Sequence, residues 1–262
     1  MEIVVDGLKA FATSGGASFD PAKPTVVFLH GAGFDRTAWR LQTRWFAHHG
    51  RSVLAIDFPA HGWSAGKPLD SIATMADWTA RLIAAAGLQN AALVGHSMGA
   101  LVALDTAARH PDKVRALGLC GIATEMPVHP EMLESAKANT LKVQELMTFW
   151  GMGNALHKGG MVSPGLWLRR ESLAVLAGNK PDVIHADLVA CNAYKDALER
   201  ARQVKCPTVL VLGDGDLMTP APKAKALAAA IAGAKTVVIA NCGHFMMVER
   251  PDETLEALKA HV

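Results

Sequence analysis

Tyrosine occurs once in 262 residues, and aromatic side chains make up only 6% of the chain. Proteins that bind single-stranded nucleic acid stack bases on aromatic rings set along a basic groove. The formal net charge is +2 and no long basic run is present, so nucleic acid is not an expected partner. No apolar run is long enough to span a bilayer, and no membrane association is expected. The first residues, Met1-Glu2-Ile3-Val4-Val5-Asp6-Gly7, lack the basic segment and apolar stretch of a secretory signal. Cysteine is sparse: Cys120, Cys191, Cys206 and Cys242 show no C-x-x-C spacing. They read as reduced thiols in a cytoplasmic protein. Cys242, two residues before a histidine, reads as a small packing residue.

What the chain has in quantity is apolar material. Half of its residues are hydrophobic, enough for one α/β domain with an insertion. The apolar run Ala91-Ala92-Leu93-Val94 leads into Gly95-His96-Ser97-Met98-Gly99 and then into Ala100-Leu101-Val102-Ala103-Leu104. That order is strand, G-x-S-x-G, helix, the context of a nucleophile elbow that lifts a serine hydroxyl above the end of a sheet. The glycines are needed because strand and helix pass so close that a Cβ would meet backbone. Serine is a weak nucleophile without a base and an orienting acid. Thr208-Val209-Leu210-Val211-Leu212 reads as a buried strand that runs into Gly213-Asp214-Gly215-Asp216. Thr236-Val237-Val238-Ile239-Ala240 reads as another, ending at Asn241-Cys242-Gly243-His244-Phe245. Ser97, Asp216 and His244 are thereby candidate nucleophile, acid and base, with Asp214 as the competing acid at the same strand end. Glu125, after the preceding strand, is a more remote alternative. Asp214 otherwise serves as a turn residue. The strand Thr25-Val26-Val27-Phe28-Leu29 ends in His30-Gly31-Ala32-Gly33-Phe34, whose small residues let backbone amides approach a substrate oxygen. The amides of Ala32 and Met98 are the expected oxyanion donors.

Along the chain, Asp6-Gly7 predicts a hairpin turn between two short strands. Helices are expected over 38–48, over 71–86 with Ser71 or Asp70 as cap, and over 252–260. Val53-Leu54-Ala55-Ile56 and Val114-Arg115-Ala116-Leu117-Gly118-Leu119 read as further strands. This alternation predicts a mostly parallel eight-stranded sheet with helices on both faces. It stops between about 122 and 202, where the pattern turns helical and holds Met126, Met132, Leu146, Met147, Phe149, Trp150, Met152, Met161 and Trp167. We read 1–121 and 203–262 as the core and 122–202 as an inserted helical cap. Most of these large residues fill space between helices; Met126, Met147 and Trp150, with Phe34 and Phe245 from the loops, are the candidate substrate pocket. His96 sits beside the serine, but side chains alternate along a strand, so it is expected to face the other way. Arg169-Arg170 reads as a solvated pair, with holding a substrate carboxylate as the functional alternative.

With these motifs assembled, the chain resembles the α/β-hydrolase superfamily, in particular its small, capped, esterase-like members. The resemblance rests on His30-Gly31, on Gly95-His96-Ser97-Met98-Gly99, on Gly213 with Asp216 and Pro220, and on Gly243-His244. It extends to Asp57-Phe58-Pro59-Ala60-His61-Gly62-Trp63-Ser64, which looks like the family's D-x-P-G-x-G-x-S loop with Ala60 where glycine is usual. Alanine at positive φ there costs about 1 kcal/mol. The resemblance implies that Asp57 anchors that loop, that His30 and His61 hydrogen-bond within loops, and that a Ser-His-Asp hydrolase needs no metal or organic cofactor. It implies a small-molecule ester as substrate. The alternatives on the same triad are a meta-cleavage C–C hydrolase, a lactonase and a thioesterase. A hydrolase-like ligand receptor with little turnover is the alternative of another class. Serine at position 97 argues against the look-alike dehalogenases and epoxide hydrolases, which carry aspartate there. The short loop after His30-Gly31 lowers the C–C reading.

Overall fold

The computed structural model describes residues 1–157 and 167–262, without the side chains of Ala155 and His157. Met161 from the sequence reading lies outside the described residues. The strands are β1 (Glu2–Val5), β2 (Leu8–Thr13), β3 (Thr25–Leu29), β4 (Ser52–Ile56), β5 (Ala91–His96), β6 (Val114–Cys120), β7 (Thr208–Gly213) and β8 (Lys235–Ile239). They form one sheet in the order β1-β2-β4-β3-β5-β6-β7-β8. The pairs β1–β2 and β2–β4 are antiparallel, and the remaining pairs are parallel. The hairpin turn has Asp6 at φ 53° and Gly7 at φ 77°, the double positive φ that Asp-Gly favours in a two-residue hairpin.

β3, β4, β5 and β7 are buried at every residue, so their continuous apolar runs are what a sheet covered on both faces demands. The covering helices in the first half are α1 (Arg40–His48), α2 (Ile72–Ala85) and α3 (Met98–Arg109). A 3-10 turn over Arg36–Trp39 precedes α1, so the helical signal at 38 begins two residues early, capped by Asp35. Ser71 caps α2 in a reciprocal box with Thr74, and Asp70 supports the box by accepting from the Thr74 hydroxyl at 3.0 Å.

Between β6 and β7 the described helices are α4 (Pro130–Lys137), α5 (Leu141–Gly151), α6 (Asn154–His157), α7 (Leu168–Ala177), α8 (Val183–Ala193) and α9 (Ala197–Gln203). α4, α5, α7 and α8 pack among themselves, whereas α9 packs on α3. The chain closes with α10 (Lys225–Ala230), α11 (Met246–Glu249) and α12 (Pro251–Lys259). α12 packs on α1 and β7, and α2 packs on α3, which gives the sheet a helical layer on each face. Asp105 of α3 is buried and ties the later helices down, accepting from Tyr194 Oη at 2.8 Å and Arg200 Nε at 3.1 Å. Among the described residues no helix is long and apolar enough to cross a membrane.

Candidate active site

The residues singled out by spacing lie at the carboxyl ends of β3, β5 and β7 and just after β8, the rim where parallel sheets present ligands. A Cβ on Gly95 would overlap the Gly99 carbonyl, and one on Gly99 would lie 2.5 Å from the Leu29 oxygen. The turn between β5 and α3 therefore excludes any larger residue at either glycine. Ser97 takes the strain of that turn, with φ 53° and ψ −115°. Its N–H donates to Cys120 O at 2.9 Å. Non-glycine residues adopt such angles only where their surroundings impose them, and they gather at functional sites.

His244 Nδ1 lies 2.8 Å from Asp216 Oδ2, and both side chains are buried. Asp216 Oδ1 accepts from the Met218 and Thr219 amides, each at 2.8 Å, and the Thr219 hydroxyl donates to Oδ2 at 2.7 Å. Thr219 Oγ1 is also 3.1 Å from His244 Nδ1. Burial alone would raise the Asp216 carboxyl; the charge and hydrogen bond of His244 and the Thr219 donors outweigh it and hold it at about 2. Its stabilising contribution is therefore complete above about pH 4 and lost as pH falls through about 2. Between pH 5 and pH 2 the Asp216→Asn protein is expected to lose about 2 kcal/mol less stability than the parent. Urea midpoints at the two pH values check this. Asp214 accepts from the Cys242 amide at 3.1 Å and has no described contact with His244. Glu125 lies 3.7 Å from Lys195 at an exposed position.

His96 does not face away as strand alternation predicts. Its Nε2 is 2.9 Å from His244 O, and the two rings are 4.7 Å apart. Burial and the charge of His244 push His96 well below the usual histidine range. A neutral ring that donates from Nε2 leaves Nδ1 bare, and Nδ1 has no hydrogen-bond partner among the described residues. The alternation rule fails because the strand ends at His96 and the chain turns at Ser97.

A cavity of about 230 Å³ opens onto these groups. Ala32, Phe34, Ser97, Met126, Met147, Trp150, His244 and Phe245 all line it. Sequence reasoning missed Met132, Leu188 and Cys191 from the helices between β6 and β7, Leu217 and Met218 from the loop after β7, and Lys223. Phe34 and Phe245 meet edge to face at 5.1 Å. Arg169 and Arg170 do not line the cavity; both are exposed, and the Arg170 guanidinium lies 5.8 Å over the Trp167 ring. Among its described lining residues no carboxylate is found, and Lys223 is the one fixed charge. Among the described residues no protein group accepts from the Ala32 or Met98 amide. No group of three or more His, Cys, Asp or Glu side chains there could hold a metal ion.

The loop bearing His244 is clamped from below. Glu249 is buried and accepts amides from Gly153, Gly243 and Phe245, each at 3.0 Å. Burial raises its carboxyl, and the three amides only partly offset that. His244 N–H reaches Gly151 O at 2.7 Å. Asp57 holds its own loop by accepting from the Arg36 and Trp63 amides and pairing with the Arg36 guanidinium at 2.6 Å. Ala60 in that loop has φ 71°, the left-handed geometry that favours glycine.

The α/β-hydrolase family model matches residues 26–257. The chain belongs to the α/β-hydrolase family. This α/β-hydrolase is 30% identical to a pimeloyl-(acyl-carrier protein) methyl ester esterase of Chromobacterium violaceum, over 91% of this chain and 94% of the relative. It is 24% identical to an (E)-2-((N-methylformamido)methylene)succinate hydrolase of Acinetobacter baylyi, over 90% and 89% of the two chains. The crystal structure of the enol-lactonase from Burkholderia xenovorans matches with a TM-score of 0.88 at 20% identity, covering 99% of this chain and 98% of that one. At that identity the match speaks for the fold.

Proposed function

We propose that this α/β-hydrolase cleaves small carboxylic esters through an acyl-enzyme on Ser97, with His244 as base and Asp216 as its orienting acid. The observation that carries the reading is the buried His244–Asp216 hydrogen bond of 2.8 Å, set beside a strained elbow serine on one cavity. His244 Nε2 takes the Ser97 proton as Oγ attacks the carbonyl carbon. The amides of Ala32 and Met98 stabilise the oxyanion. His244 returns the proton to the departing alcohol, then activates the water that releases the acid. The Ser97 hydroxyl makes no hydrogen bond among the described residues; such bonds often tighten only when substrate is in place. In this reading 122–202 is the cap. Four free cysteines fit a reducing, cytoplasmic setting.

The apolar lining supports uncharged acyl chains. Each buried methylene contributes about 0.8 kcal/mol, roughly fourfold in kcat/KM. Across p-nitrophenyl esters from acetate to decanoate, kcat/KM is expected to rise and then fall as the cavity fills. A second reading, a carboxylate-bearing lactone or dienoate, draws support from Lys223 on the cavity wall, with no acid beside it among the described lining residues. The same assay should include a meta-cleavage dienoate and an enol-lactone. If either is turned over at least a hundredfold more efficiently than every ester, the ester reading fails.

A further inference from the structure

The oxyanion loop is held from the helical side by a buried pair that the triad does not use. Phe34 N–H donates to Gly31 O at 3.1 Å, closing a turn with Ala32 and Gly33 at its centre. Gly33, at φ 67°, is gripped on both sides. Its N–H donates to Asp187 Oδ2 on α8 at 2.8 Å, and its carbonyl accepts from Asn179 Nδ2 at 2.5 Å. A Cβ there would lie 2.9 Å from Leu176 and 3.0 Å from Ile184, so α7 and α8 press directly on the turn. Asp187 Oδ2 also meets His61 Nε2 at 2.8 Å, while His61 Nδ1 faces Pro59 O at 3.0 Å. A carbonyl oxygen only accepts, so Nδ1 carries a proton. A second proton on Nε2 satisfies the carboxylate, which makes the ring an imidazolium. His30, 4.8 Å away, accepts the Phe58 amide at Nε2 and is thus neutral beside it.

We propose that Asp187 and His61 are positioning residues for the oxyanion loop: their charged, buried hydrogen bond seats α8 on Gly33 and fixes the turn that presents the Ala32 amide. The inference rests on the serine-hydrolase reading above. Leu188 and Cys191, on the same helix, line the cavity, so α8 touches the substrate space and the loop together. The groups facing His61 are Asp187 on α8, Asp57 after β4 and His30 after β3. Burial opposes the charge on His61, but Asp187, the Pro59 carbonyl and Asp57 outweigh it and move the ring above the usual histidine value. The pair therefore holds below that raised value and is released as pH climbs past it.

The test combines spectroscopy with kinetics on the full chain. Nitrogen NMR of the ring should show His61 doubly protonated at pH 7 in the parent and singly protonated in Asp187→Asn. With p-nitrophenyl butyrate, Asp187→Asn and His61→Gln should each lower kcat about ten- to a hundredfold, at most the loss seen on removing an oxyanion donor. KM should change less than about threefold. The double variant should be no worse than the poorer single one, because the two residues act as a unit. The parent should also lose kcat at alkaline pH along a limb that Asp187→Asn lacks. A neutral His61 at pH 7, additive losses, or losses that follow only the folded fraction would overturn the proposal. Should either variant fail to fold, the ring spectrum of the parent still decides. If Ser97→Ala keeps turnover, the serine reading fails; if it abolishes turnover while Asp187→Asn keeps the parent's kcat, only the positioning role fails.

Discussion

Ser97→Ala is expected to remove ester turnover, by up to about six powers of ten, and to leave the fold standing. The structure separates the two effects. Ser97 sits at φ 53°, and alanine bears the same backbone cost there as serine. The hydroxyl has no described hydrogen bond, so its loss leaves no buried partner orphaned. Its amide still donates to Cys120 O at 2.9 Å, and the glycines at 95 and 99 still let α3 approach β5. Circular dichroism and a thermal midpoint within a few degrees of the parent would establish the fold. Parent-like hydrolysis of p-nitrophenyl butyrate by that folded protein would end the serine-hydrolase reading.

Asp216→Asn should cost about four powers of ten, and Asp214→Asn far less. Asp216 Oδ1 is fixed by two amide donors, so an asparagine at 216 keeps its carbonyl oxygen there. Its NH₂ then takes the place of Oδ2, facing His244 Nδ1 at the 2.8 Å position. A donor there requires Nδ1 to accept, which moves the imidazole proton to Nε2. The ring can then no longer take a proton from Ser97. Among the described residues the Asp214 carboxylate accepts from the Cys242 amide, and asparagine can accept that bond equally well. Steady-state kinetics on both variants decide the acid. An inactive Asp214→Asn beside an active Asp216→Asn would reassign it.

Much of this site is written in local signals. Gly95 and Gly99 flank Ser97 because of a steric limit that any strand-turn-helix of this tightness imposes, and Asp216 and His244 each follow a recognisable apolar strand. The inner strands β3, β4, β5 and β7 are legible because both faces are covered and their apolar runs are continuous, whereas β8 lies at the sheet edge and is largely exposed. The supporting residues are not local. Asp187 meets His61 across 126 positions, and Glu249 meets Gly153 across 96. Nothing in one sequence marks a lone aspartate on a helix as the partner of a loop histidine. Lys223 was hidden in a similar way, since Arg169 and Arg170 make the denser charge in sequence while α7 turns them to solvent. Part of the support for Asp216 did leave a trace, since an aspartate at a turn readily accepts nearby backbone amides, here those of Met218 and Thr219; the Thr219 hydroxyl on Oδ2 carries no such signal.

The burial of the cysteines has a practical side. The thiolate is the form that alkylating reagents attack, and desolvation pushes all four thiols up, Cys206 to about 11 and the others further. The native chain should therefore react slowly with iodoacetamide, and the buried Cys120 and Cys242 become clocks for the opening of their own neighbourhoods, while the half-buried Cys206 and the cavity-lining Cys191 report access without it. Cys120 ends β6, Cys206 precedes β7 and Cys242 follows β8, whereas Cys191 lies on α8. Pulsed alkylation read by mass spectrometry would time entry to the cavity separately from opening of the sheet beneath it. Modification of Cys191 ahead of Cys120 and Cys242 would show the reagent entering the cavity while the sheet stays closed.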